Sequence, residues 1–170
     1  AVELARLSEN SYAQYPNNDF KYPDGSVAAP PGWSVVPKEE LEAKGMSIKD
    51  FEKARAVAYR TPEDWPGGQK TVIAFRGTAD LEDAIVDHDQ AMALETDQYK
   101  ASERLGEAAY ESIGADLLVT GHSLGGGKAQ AAGAAGGFHG MMFNSAGLHP
   151  DTVSGAMPMK SLSASNGRLL

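Results

Sequence analysis

The chain has 170 residues, 42% of them hydrophobic, enough to build one domain around a single core. A formal net charge of -8 and the lack of any Lys/Arg run argue against nucleic acid or anionic membranes as electrostatic partners. With no cysteine, disulfides, thiolate metal sites and a Cys nucleophile are excluded.

No stretch reaches the roughly 18 apolar residues of a spanning helix. Residues 1–15 lack the basic-then-apolar layout of a signal peptide. Residues 2–15 read as a helix, with Val2, Leu4, Ala5, Leu7 and Tyr12 roughly on one face. Residues 15–33 are rich in proline and turn formers and read as a loop. A short strand is expected at 34–36 and one or two helical turns at 38–44. Ser47 and Asp50 have the spacing of a capping box, opening a short helix. Residues 54–59 read as a strand, 61–70 as a long turn, and 71–75 as a buried central strand.

Two helices are expected next, at 80–93 and 97–113, the second ended by Gly114. Asp83 and Asp87 on the first read as a solvated face, not a metal site, and His88 between Asp87 and Asp89 reads as surface. Residues 116–120 form a strand, 124–135 a helix of small residues, 140–144 another strand, and 145–166 a loop. Strands alternating with helices predict an α/β fold, with a mainly parallel sheet flanked by helices, as one domain over 1–170.

Gly121-His122-Ser123-Leu124-Gly125 matches G-x-S-x-G, set between an expected strand and an expected helix. That setting is what the motif requires. A sharp strand-to-helix turn exposes the Ser123 hydroxyl, and the helix start offers unbonded N–H groups to a developing oxyanion, with Leu124 N–H the natural donor. The bland alternative is a Gly-rich turn with a chance serine. A phosphate loop fits worse: from Gly121 the pattern reaches Gly126, then Gly127 where lysine is needed, and Ala129 follows Lys128 without a hydroxyl. Arg76-Gly77-Thr78 leaves the strand 71–75 where ligands of open parallel sheets bind. Thr78 is therefore either a second oxyanion donor or part of a plain turn.

Ala74-Phe75-Arg76-Gly77-Thr78 together with Gly121-His122-Ser123-Leu124-Gly125-Gly126 resembles the class 3 lipase family of α/β-hydrolases. Leu4-Ala5-Arg6-Leu7-Ser8, the hairpin-like 56–75 and Phe143-Asn144-Ser145-Ala146-Gly147 fit the same pattern. The stretch from Phe143 to Pro150 is similar to bacterial phospholipase-type toxins and effectors, which implies a soluble, secreted or translocated protein. The resemblance implies an α/β-hydrolase-like fold, Ser123 as nucleophile, Thr78 and Leu124 as the oxyanion hole, and hydrolysis of lipid or phospholipid esters without a cofactor.

The chain departs from the family in its acid and base. The hydrolase order is Ser, then Asp or Glu, then His. After Ser123 come only His139, His149 and one acid, Asp151, so no acid lies between Ser123 and His149. His139 is expected at the far end of the sheet, and His122 as a packing residue inside the turn. His149, in a His-Pro-Asp turn after the last strand, is the only base candidate within the chain. The expectation is that the domain is incomplete at the C-terminus, and that a second polypeptide or the remainder of the protein supplies the Asp and His. Two other functions use the same elements: a non-catalytic binding module on the hydrolase fold, and an acyltransferase or thioesterase.

Overall fold

The computed structural model of the chain describes residues 1–16, 20–77, 88–145, 161–163 and 168–169, with backbone alone at 88–95, 161–163 and 168–169. In chain order the elements are α1 (Val2–Gln14), β1 (Ser34–Val35), α2 (Lys38–Ala43), α3 (Ile48–Ala54), β2 (Ala56–Arg60), β3 (Thr71–Phe75), α4 (His88–Ser112), β4 (Leu117–His122), α5 (Leu124–Gly136), β5 (His139–Phe143), β6 (Ser161–Ser163) and β7 (Arg168–Leu169). The strands form one sheet in sequence order from β1 to β7.

The sheet is parallel only in its middle. β3 to β6 run parallel, whereas β1 and β2 join β3 as an antiparallel meander and β7 returns antiparallel to β6. "Mainly parallel" is thus corrected to parallel at the centre with antiparallel margins. The short turn after Arg60 allows only an antiparallel return, whereas the parallel steps need the crossovers α4 and α5.

Both helices lie on one face, where α4 packs on α5 and α3, as monotonic strand order with the usual right-handed crossover requires. Strand alternation then sorts two cores. Ile73, Phe75, Val119 and Met142 face Phe51, Leu105 and Ala129 of the α3, α4 and α5 layer. Val72, Ala74, Val57 and Tyr59 face Leu4, Leu7 and Tyr15 on the α1 side.

Other expectations are revised. The buried face of α1 is Leu4, Leu7, Ser8, Ser11 and Gln14, while Val2 is 66% exposed. Ser8 can be buried because its hydroxyl bonds to the Leu4 carbonyl at 3.0 Å and lies 3.0 Å from the Thr120 hydroxyl. Residues 88–112 form one helix, not the end of one and the whole of another. Nothing between Ala93 and Asp97 is Gly or Pro, and the weak helix propensities of Thr96 and Asp97 are too small to break it. Ala54 closes α3 and does not start β2. The expected loop 145–166 contains β6. Ser47 caps α3 by accepting from Asp50 N–H at 3.3 Å, but Asp50 does not reciprocate; its carboxylate pairs with Arg104 of α4 at 2.6 Å.

Candidate functional site

Ser123 sits between β4 and α5 with φ 55° and ψ -125°. Non-glycine residues avoid this region because Cβ crowds the backbone. The turn is enforced from both flanks. A Cβ on Gly121 would overlap the backbone of Gly125 and Gly126, and one on Gly125 would overlap Phe75 and the loop after β3. Strand and helix approach this closely only because both positions lack a side chain.

The hydrogen bonds assign the backbone groups. Ser123 N–H donates to the Phe143 carbonyl at 3.1 Å, which ties the turn to the end of β5. The Ser123 carbonyl accepts from Gly126 N–H at 2.9 Å and from Gly127 N–H at 3.3 Å, starting α5. The N–H groups of Leu124 and Gly125 precede the first bonded rung of the helix, so the ladder gives them no acceptor. A carbonyl oxygen placed there would meet donors and the positive end of the helix dipole.

Three strand ends converge on this helix start. Gly77, two residues beyond β3, lies against Gly125 N and the His122 carbonyl, and Ser145, beyond β5, lies against Gly126. Tyr12 of α1 closes the cluster. Its hydroxyl is 3.4 Å from His122 Nδ1 and also receives the Gly77 N–H. Burial raises the Tyr12 pKa, opposed by the Gly77 bond and by the charge of Arg76. Arg76 is buried, with its guanidinium 5.6 Å from the Tyr12 ring centre and 5.9 Å from that of Phe20. Arg55 stacks on the Phe20 ring at 3.8 Å, and burial, then Arg76, lower its pKa.

Ser123 and Leu124 are therefore together at the turn. Thr78, His149, Asp151, Asp83 and Asp87 lie outside the described residues, although Gly77 brings the chain to the helix start just before Thr78. His139 opens β5 opposite Leu118, at the end of the sheet away from Ser123. His122 corrects the expectation of a packing residue: its side chain is exposed, because α1 covers Thr120 with Ser8 but reaches His122 only through Tyr12. Lys128 points into the core, donating to the Ala54 carbonyl at 2.7 Å and to Gln98 Oε1 at 2.8 Å, so it cannot serve as a phosphate-loop lysine at the helix start. Sequence reasoning missed the roles of Tyr12 and Phe143 beside the turn. The available signal was Tyr12 one helical turn after Ser8, on the face packed against the sheet.

A Tle-like phospholipase domain matches residues 3–168. The chain belongs to this phospholipase-like family. It is also similar to an extracellular phospholipase A1 of Serratia liquefaciens, 36% identical over 83 residues. That match spans 49% of this chain and 26% of the relative, so the chain spans about a quarter of that protein. The matched family is of the phospholipase type, and the likeness to class 3 lipases stays a likeness of motifs. Among the described residues no helix is long and apolar enough to cross a membrane, and no cluster of His, Asp and Glu has the arrangement of a metal site.

Proposed function

We propose that this domain is the nucleophile-bearing part of an α/β-hydrolase that cleaves acyl esters of lipids or phospholipids through an acyl-enzyme on Ser123. The observation that carries this reading is the positive φ of Ser123 at the start of α5. Membership of a phospholipase-like family and the likeness to a phospholipase A1 support the lipid substrate.

In this reading Ser123 Oγ attacks the ester carbonyl and a base takes its proton. The carbonyl oxygen becomes an oxyanion held by Leu124 N–H and by the backbone N–H of Thr78. Collapse expels the alcohol, and water then releases the fatty acid. No acid lies between Ser123 and His149, so the Asp and His are assigned to a further polypeptide segment, with His149 the alternative within this chain. The secreted or translocated setting of bacterial effectors is part of the same proposal.

The test is labelling of the complete enzyme by a serine-reactive fluorophosphonate. Modification of Ser123, abolished in Ser123→Ala, is expected. Labelling without hydrolysis, but with transfer to an added alcohol or thiol, would mark an acyltransferase. Absence of labelling in every form would leave a lipid-binding module.

A further inference from the structure

Asn144 follows β5 directly, is exposed, and has φ 44°. Taking Ser123 as the nucleophile, on which this rests, we propose that Asn144 is a positioning residue. Its left-handed turn clamps the backbone of Ser123 between β5 and α5.

Three observations meet at Asn144. The Phe143 carbonyl accepts the Ser123 N–H at 3.1 Å. That oxygen belongs to the rigid peptide plane shared by Phe143 and Asn144, so the backbone angle at Asn144 helps to aim it. Next, Ser145 is seated on the start of α5: a Cβ on Gly126 would lie 2.9 Å from the Ser145 Cβ and 3.0 Å from its Cα. An extended residue at 144 would carry the chain straight on past the sheet, whereas a left-handed one turns it onto Gly126. Finally, the position is held by asparagine, one of the few side chains that enter this region at small cost. The clamp matters because Ser123 itself has φ 55°, and such a conformation persists only where its surroundings over-determine it. Gly126 N–H and Gly127 N–H hold the Ser123 carbonyl, and the Phe143 carbonyl holds its N–H. Slackness on the β5 side lets the Ser123 hydroxyl swing relative to Leu124 N–H, which slows attack more than it weakens binding of the ester.

The test compares Asn144→Val, Asn144→Gly and Gly126→Ala in the complete enzyme. Valine resists a positive φ, so kcat should fall at least about tenfold with KM within about twofold, as for a misplaced reacting group. Glycine accepts the turn and should keep kcat within about threefold. Gly126→Ala favours the helix yet displaces Ser145, and should repeat the valine effect from the opposite side. Hydrogen exchange of the Ser123 amide, read at single-residue resolution, should quicken about tenfold in Asn144→Val and Gly126→Ala and little in Asn144→Gly. Should Asn144→Val fail to fold, Gly126→Ala carries the comparison. Wild-type kcat or an unchanged Ser123 exchange rate in the displaced variants would overturn the proposal. An equal loss in Asn144→Gly would overturn it too, by making the side-chain amide the active feature and not the turn. A wild-type enzyme whose Ser123 resists the fluorophosphonate removes the nucleophile instead, and the exchange rates then decide the clamp by themselves.

Discussion

The Nζ of Lys128 lies 2.7 Å from the carbonyl oxygen of Ala54, the last residue of α3, and so joins the helix behind Ser123 to the turn before β2. Ala54 ends a helix, where carbonyls lack partners and the dipole is negative, which suits a lysine donor. The turn continues through Arg55, whose carbonyl accepts Arg76 N–H at 2.9 Å, to Gly77, which rests on Gly125. Lys128 thereby closes a ring of contacts that sets the distance between the Ser123 turn and the loop leading to Thr78.

Lys128→Met should be costly for that reason. It leaves two buried acceptors, the Ala54 carbonyl and Gln98 Oε1, without this donor. A loss of about 3 kcal/mol is expected, from hydrogen bonds of a charged donor together with unsatisfied partners. Urea unfolding should show a lower midpoint at unchanged slope. An unshifted midpoint would show that the lysine does not hold the turn.

Ser123 itself should carry strain. At φ 55° and ψ -125° a side chain costs roughly 1–3 kcal/mol, and glycine escapes that cost at the expense of a more flexible unfolded chain. Ser123→Gly should therefore be about 1 kcal/mol more stable than Ser123→Ala, and both should be inactive in the complete enzyme. Thermal or urea unfolding of the pair is the check. Equal stability would remove the strain argument.

The elements legible in the sequence were those whose pattern is local. The apolar run 71–75, the helix of small residues after Ser123 and the Ser47 cap are all found in place, because periodicity and capping act within a few residues. What was not legible depended on distant partners. Ser8 and Ser11 read as polar yet are buried, since Thr120, more than a hundred residues away, satisfies the Ser8 hydroxyl. Likewise His122 is exposed beside Tyr12 because of where α1 ends against the sheet, and nothing around Gly121-His122-Ser123 in the sequence encodes that position. The turn was readable as a motif, whereas the side chains that close round it, Tyr12 and Phe143, were not.

Tyr12→Phe isolates the polar contact of Tyr12. The ring stays, and the hydroxyl that meets both His122 and Gly77 is lost. Stability should fall by no more than about 1 kcal/mol, the net worth of one hydrogen bond. If the hydroxyl holds the loop to Thr78 in place, kcat of the complete enzyme should fall roughly tenfold with little change in KM, as for an interaction felt mainly in the transition state. A change confined to KM would make Tyr12 a substrate contact and nothing more.

Thr78 can be tested through its backbone. Thr78→Pro deletes the N–H assigned to the oxyanion, and loss of one such donor costs roughly 10²–10³ in rate. Thr78→Ala removes only the hydroxyl and should cost far less. Steady-state kinetics on the complete enzyme compare the two, and an unaltered rate in Thr78→Pro would take this loop out of the oxyanion hole.

The last prediction concerns the base. A hydrolase triad places the acid between nucleophile and histidine, and the segment from Leu124 to Leu148 contains no Asp or Glu. His149 with Asp151 would need the reverse order within three residues of sequence. Without a base Ser123 remains a weak nucleophile, and the donors at the start of α5 give only residual catalysis. Residues 1–170 purified alone should therefore turn over a short-chain ester little or not at all. His149→Ala should leave the rate of the complete protein within about twofold, whereas a substituted histidine in the further segment should abolish it. Full turnover by the isolated 170 residues, lost in His149→Ala, would overturn this view and make His149 and Asp151 the acid–base pair.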